Sequence, residues 1–398
     1  MDGPYEFGMR TRNRTPAVAP FPLPPPLQRM LDLGKANLET PFKGLTADGT
    51  VAPGLYRIEK TGHALADLVA AARRYLAALT PAERTRTSFT VDSTAWQAWC
   101  NIHPFMMRHG QCLKDLGADA REAAFGLLRA SLSAAGFQSA RDVMRLNETV
   151  LELTGRPEEY GEWLYWISIM GEPSATEPWG WQIDGHHLIV NCFVLGDQMV
   201  LTPNFMGSEP VHARTGRYSG TRVFDAEERD GHLFMGTLSP EQRAQATIGD
   251  KLPFDVMATA FHDNDTMPYR GVRWAELARG QQEAMESLIG LYTGRIRPGH
   301  AEVRYAEVKR HLESTWFAWI GAFDETSPFY YRIHNPVILI EFDHQSGIVY
   351  DNDHHARNHI HTCVRTPNGN DYGKDLLRLH YARHDHSDPA SPHRQGKD

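Results

Sequence analysis

Apolar positions along this chain keep two different rhythms, and the change from one to the other falls near Leu164. Before it the spacing is helical. The run A-L-A-D-L-V-A-A-A-R-R-Y-L-A-A-L, beginning near His63, repeats apolar residues at i, i+3 and i+4 and predicts a helix that stops at Thr80-Pro81. A second helix is predicted from about Asp119 to Ala135, with Gly136 as its terminal glycine, and a third from Ser139 to about Leu153. After Leu164, short β-rich runs take over: Leu164–Met170, His187–Val194 and Gln198–Pro203, with a hairpin turn at Gly196-Asp197. Residues 239–257 and 273–320 read as helical. Strand patterning returns over Pro328–His334, Val337–Asp343 and Asn358–Arg365, and K-D-L-L-R-L-H-Y-A-R-H predicts a closing helix. The sum is an α+β fold, a helical N-terminal third packed on a mainly antiparallel sheet. A short polar loop, Gly347 to Arg357, makes Val337–Asp343 and Asn358–Arg365 expected antiparallel neighbours.

Outside this pattern, residues 1–28 are rich in proline and predict an extended arm, and residues 386–398 a flexible tail. Neither repeat nor linker interrupts 29–385, which reads as a single integrated domain. A net charge of −8 with no basic stripe argues against a nucleic-acid partner. No apolar run reaches the roughly 18–20 residues that span a bilayer. The opening segment lacks the apolar region of a signal peptide, so the expected location is cytoplasmic. Four cysteines without a C-x-x-C pair do not form a disulfide scaffold in 398 residues. Oligomeric state leaves no mark on the sequence.

Histidine changes the picture. Ten of the twenty lie between His334 and His393, and a separate doublet, His186-His187, sits far upstream. His359 and His361 are two residues apart on a predicted strand, so both point the same way and form a two-nitrogen claw for a divalent cation. The plainer reading is a solvated pair on a surface strand. For the doublet, neighbouring strand residues face opposite sides, so both reach one ion only if the strand begins or bulges there; Gly185 permits that. Glu341 interrupts the apolar strand V-I-L-I-E-F-D, and a buried carboxylate needs a pairing group or a metal. His354 and His355, in a charged loop, read as solvated. Arg332 and Arg365 are candidates for fixing a substrate anion, and Asp343 for a general base. The chain has no G-x-S-x-G, G-x-G-x-x-G, Walker loop or H-E-x-x-H.

Several long strings resemble one family, the domain of unknown function DUF3500. They are W-G-W-Q-I-D-G-H-H-L (Trp179–Leu188), T-P-N-F-M-G-S-E-P (Thr202–Pro210), Y-Y-R-I-H-N-P-V-I-L-I-E-F-D (Tyr330–Asp343) and the stretch His359–Tyr381. The resemblance covers most of the chain from about residue 60. It implies that G-H-H, E-F-D and H-I-H are family motifs, and that His186, His187, Glu341, His359 and His361 occupy motif positions. It implies no activity.

The chemistry of those residues predicts a mononuclear metal-dependent enzyme acting on a small, anionic molecule. The metal ligands are expected among His186, His187, Glu341, His359 and His361, and the ion is a divalent first-row transition metal: Fe, Mn, Zn or Cu. Asp343, Arg332 and Arg365 are the expected catalytic residues. Two or three histidines with one carboxylate suit both oxygen-dependent oxidation and hydrolysis, and oxidation is placed slightly first. The alternatives are a protein that binds metal or a small ligand without turnover, and a buried hydrogen-bond network that holds no metal.

Overall fold

The computed structural model describes residues 25–102 and 107–384. The expected tail and most of the expected arm lie outside those residues. The arm's last residues do not extend, because a helix runs Pro25–Glu39.

The described chain is an α+β fold built on one thirteen-stranded, mostly antiparallel sheet. Its strands are β1 (Ser88–Phe89), β2 (Gln111–Cys112), β3 (Tyr165–Met170), β4 (Trp179–Gly185), β5 (Leu188–Leu195), β6 (Gln198–Val200) and β7 (Asn204–Ser208). Then follow β8 (Thr247–Gly249), β9 (Val272–Arg273), β10 (Trp316–Ile320), β11 (Tyr330–His334), β12 (Leu339–Ser346) and β13 (His355–Arg365). The main path runs β1-β3-β4-β5-β7-β13-β12-β11-β10-β8, with β2, β6 and β9 pairing at β3, β5 and β10. The middle joins two distant parts of the sequence, because β7 pairs antiparallel with β13. The expected β12–β13 pairing is present, and it sets Asp343 opposite His361 and Glu341 opposite Cys363.

Central strands are buried on both faces. All eight positions of β5 are buried, and all seven of β4. That is why L-I-V-N-C-F-V-L shows no polar alternation: there is no solvent face for polar residues to occupy. Helix Ala134–Thr154 packs against β5 and β7, and helix Asp225–Thr237 against helix Arg279–Thr293.

Several boundaries differ from the expected ones, for physical reasons. The first long helix ends at Ala77, and Thr80-Pro81 opens a further helix, Pro81–Thr87. The Thr80 side chain accepts from the Glu83 N–H, and the Glu83 carboxylate accepts from the Thr80 N–H, a capping box. Gly136 ends nothing. It sits in the first turn of Ala134–Thr154, where a Cβ would lie 2.3 Å from the Arg295 carbonyl oxygen. The W-F-A-W-I run, expected to be helical, is β10: a short apolar segment does not reveal its period. Of 239–257, only Pro240–Ala246 is helical. From there to β9 the chain is mostly irregular and crosses one face of the sheet as a strap over β11, β12 and β13. No helix among the described residues is long and apolar enough to cross a membrane.

Candidate metal centre

Strands β4 and β5 form a hairpin whose two turn residues are His186 and His187, the last ladder pair being Gly185 with Leu188. His187 adopts a left-handed φ of 61°, rare for a residue with a side chain. Its backbone is held from both sides. The His187 N–H donates to the Asn101 carbonyl (3.0 Å), and the His187 carbonyl accepts from the Gly207 N–H (2.8 Å). This turn aims the His187 ring across β7 toward β13, where His359 and His361 share a face. Gly207 lies between, in register with His361. Any side chain there would occupy the space of the rings.

The three Nε2 atoms converge. His359 and His361 stand 3.0 Å apart, His361 and His187 3.1 Å, and His359 and His187 3.3 Å. All three residues are buried. They are the set of His, Cys, Asp and Glu side chains that can hold a metal among the described residues. A tetrahedral ion bound at about 2.1 Å spaces its ligand nitrogens about 3.4 Å apart, close to the observed triangle. Three nitrogens at this spacing would hold an ion from one side.

The outer ring nitrogens settle the tautomers. His359 Nδ1–H donates to the Ser346 carbonyl at 2.8 Å, and a carbonyl only accepts. His361 Nδ1–H donates to Asp255 Oδ1 at 2.7 Å. The Asp255 carboxylate also accepts from the Val256 N–H and the Thr259 hydroxyl. With the proton on Nδ1, each neutral ring presents a bare Nε2 lone pair inward. Between neutral rings two lone pairs face each other at 3.0 Å, and the His187 ring carries one proton at most to share between them. Protonation is disfavoured at His187 and His359. Burial first, then the neighbouring histidines, holds His187 and His359 well below the usual imidazole range.

Two expected ligands stand outside this cluster. The His186 ring stacks on His187 (centroids 4.0 Å apart) but turns its Nδ1 to Asn147 Oδ1 at 2.8 Å. Glu341 shares the sheet face but not the site. Its carboxylate accepts from the N–H groups of Met257 (2.8 Å) and Ala258 (2.7 Å) and from the Tyr330 hydroxyl (2.6 Å). The partner that a buried carboxylate requires is thus the strap, not a metal.

The expected anion-binding arginines serve the strap as well. Arg365 Nη1 donates to the Ala258 carbonyl, and its other donors meet Asp371 Oδ2 (2.7 Å) and Asp263 Oδ1 (2.5 Å). Each of its three nitrogens thus has a partner within the protein. Arg332 lies opposite Glu341 in the ladder and donates to the Pro268 carbonyl at 3.0 Å. Glu341, Arg365 and Arg332 together fix the segment that carries Asp255 to His361.

Asp343 is directly cross-strand from His361 and fully buried. Its Oδ2 accepts from Gln345 while Oδ1 has no hydrogen-bond partner in the protein. Burial, then the nearby Asp255 and Glu341 carboxyls, pushes its pKa well up.

Sequence reading missed three contributors: Asp255, Gly207 and Glu209. Glu209 is buried; its carboxylate accepts from the Ile348, Val349 and Tyr350 N–H groups and lies 3.5 Å from His359 Nδ1. It braces the turn between β12 and β13 beneath the ligand. His354 is exposed, as expected of the loop, and His355 is half-buried with its Nε2 on the Pro253 carbonyl.

The fold and site define an α+β protein with a buried three-histidine cluster that can hold a metal ion. The chain belongs to the family described as a protein of unknown function, DUF3500, whose model matches residues 61–374. Comparison with curated proteins and with solved structures found no match.

Proposed function

We propose that His187, His359 and His361 hold one divalent first-row transition ion, and that the protein is a metalloenzyme whose ion activates water for attack on a small molecule. One observation carries this: three imidazole Nε2 atoms converge at 3.0–3.3 Å in a buried site, while two of the rings donate outward from Nδ1. A hydrogen-bond network of neutral rings leaves at least one of the three contacts without a proton. A cation satisfies all three.

Three neutral ligands leave the ion its full charge, which favours lowering the pKa of bound water. Three histidines are the ligand number of catalytic centres that keep a coordination position for a non-protein ligand. With Glu341 tied to the strap, the ligand set is three histidines without a carboxylate, a set that suits water activation, and hydrolysis is the better reading. Asp343 is the acid–base group: burial raises its pKa, its Oδ1 has no partner in the protein, and it sits across the ladder from His361. Arg332 and Arg365 act in this reading by holding the strap, to which both donate.

Cobalt(II) tests this reading. The reconstituted protein should show the intense visible bands of a low-coordinate Co–N site. It should also hydrolyse some member of a panel of p-nitrophenyl esters and phosphates. His361→Ala should lose both; Asp343→Asn should keep the bands and lose most turnover. A cobalt spectrum no different from the aqueous ion would end the metal reading. Turnover indifferent to chelator would end the catalytic one.

A further inference from the structure

A second polar site lies on the other face of the same sheet. Side chains alternate along β13, so His359 and His361 point one way while Thr362 and Val364 point the other. On β7 the Phe205 ring meets His361 (centroids 5.0 Å apart), and its neighbour Asn204 faces away from the histidines. Asn204 and Val364, in register, line a cavity of about 40 Å³ together with Arg295, Arg57 and Ile338. That volume holds roughly three waters or a molecule of a few heavy atoms.

Buried polar groups normally find partners. Asn204 is 3% exposed, and neither its Oδ1 nor its Nδ2 has a partner in the protein. Arg295 is 4% exposed. One arm of its guanidinium pairs with Glu227 at 2.6 Å, while Nη1 has no partner. Arg304 and Glu307, also in the lining, neutralise each other at 2.9 Å. Arg57, exposed, makes no ion pair among the described residues. Among the lining residues the unpartnered groups are thus the Asn204 amide and one arm of Arg295, with Arg57 a cation that makes no ion pair among the described residues.

We propose that this cavity binds a small hydroxycarboxylate. The carboxylate accepts from Arg295 Nη1–H under the field of Arg57. The hydroxyl donates to Asn204 Oδ1 and accepts from its Nδ2–H. The inference stands apart from the metal centre, which occupies the opposite face.

Titration calorimetry with glycolate tests it, with neutral glycolamide as the control for charge. Glycolate should saturate one site per chain, and glycolamide should bind at least about tenfold more weakly, the value of one charge-assisted hydrogen bond. Asn204→Leu should abolish the heat. Arg57→Glu, at an exposed position that leaves the fold undisturbed, should weaken glycolate by about tenfold or more. Metal content should be unchanged in both variants. Absence of saturable glycolate binding, or equal affinity in the parent and Arg57→Glu proteins, overturns the proposal. So does a crystal soaked in glycolate whose cavity holds ordered water only.

Discussion

Gly207 gives the sharpest mechanical test of the centre. A methyl group on it would stand 2.7 Å from His361 Cδ2, 2.9 Å from the Ile360 carbonyl oxygen and 3.3 Å from His187 Cδ2. The Ile360 oxygen belongs to the β7–β13 ladder, so the imidazoles must give way. Ordinary contact begins at 3.4 Å, which asks His361 to move about 0.7 Å. Metal–ligand distances tolerate only about 0.2 Å. Gly207→Ala should therefore weaken metal binding by at least about tenfold, within the range that disturbed ligand orientation produces. It should also cost about 1–3 kcal/mol of stability through overpacking. The assay is metal titration of chelator-stripped protein beside urea unfolding. Gly126→Ala is the control. It lies in helix Ala118–Ser131 with nothing within 4 Å of the new Cβ. It should bind metal like the parent and gain about 0.5–1 kcal/mol from helix propensity. Parental metal affinity in a folded Gly207→Ala protein would refute the argument that these rings are ligands.

Other substitutions separate ligand from support. His361→Ala should lose metal retention and stay folded, whereas His354→Ala should keep its metal, both read by metal content after dialysis. Asp255→Asn should weaken metal binding by about 10–100-fold in the same titration, because Asp255 orients a ligand it does not replace. Glu341→Ala strands two strap N–H groups and the Tyr330 hydroxyl, so its unfolding free energy should fall by more than about 3 kcal/mol. Any folded fraction should lose no more metal affinity than Asp255→Asn, because the strap it frees carries Asp255; loss of the same size as in His361→Ala would restore Glu341 as a ligand. The depressed pKa of His359 also has a pH signature. The apo folded state holds this ring neutral, while the unfolded chain protonates it near pH 6.5. The unfolded state then binds more protons, so stability present above pH 6.5 is lost as pH falls toward the folded value. Relative to His359→Gln, the apo parent should lose up to about 1.4 kcal/mol more per pH unit below 6.5. Equal slopes in urea unfolding would contradict the depressed pKa.

Legibility in the sequence followed periodicity. The H-x-H pair and its β12–β13 hairpin were readable because strand alternation has a fixed period and a short polar loop joins the strands. The choice between His186 and His187 was not, since it depends on a turn φ of 61° and on Asn147 in a helix far along the chain. Glu341 shows how far such a signal reaches. A carboxylate in an apolar strand demands a partner, but its spacing does not name one. The partner proved to be the backbone of Met257 and Ala258, in irregular chain without a pattern. Asp255 and Glu209 went unseen for the same reason, as did the purpose of Gly207. A glycine's missing Cβ has meaning only once the rings beside it are in place.

Metal content of the protein purified without a histidine tag tests the central claim most directly. Mass-spectrometric elemental analysis should find close to one first-row divalent ion per chain, released by strong chelator at low pH. The same ion should be absent from His361→Ala. A folded, untagged protein that carries no such ion and takes up none from added zinc, iron, manganese or copper would contradict the account.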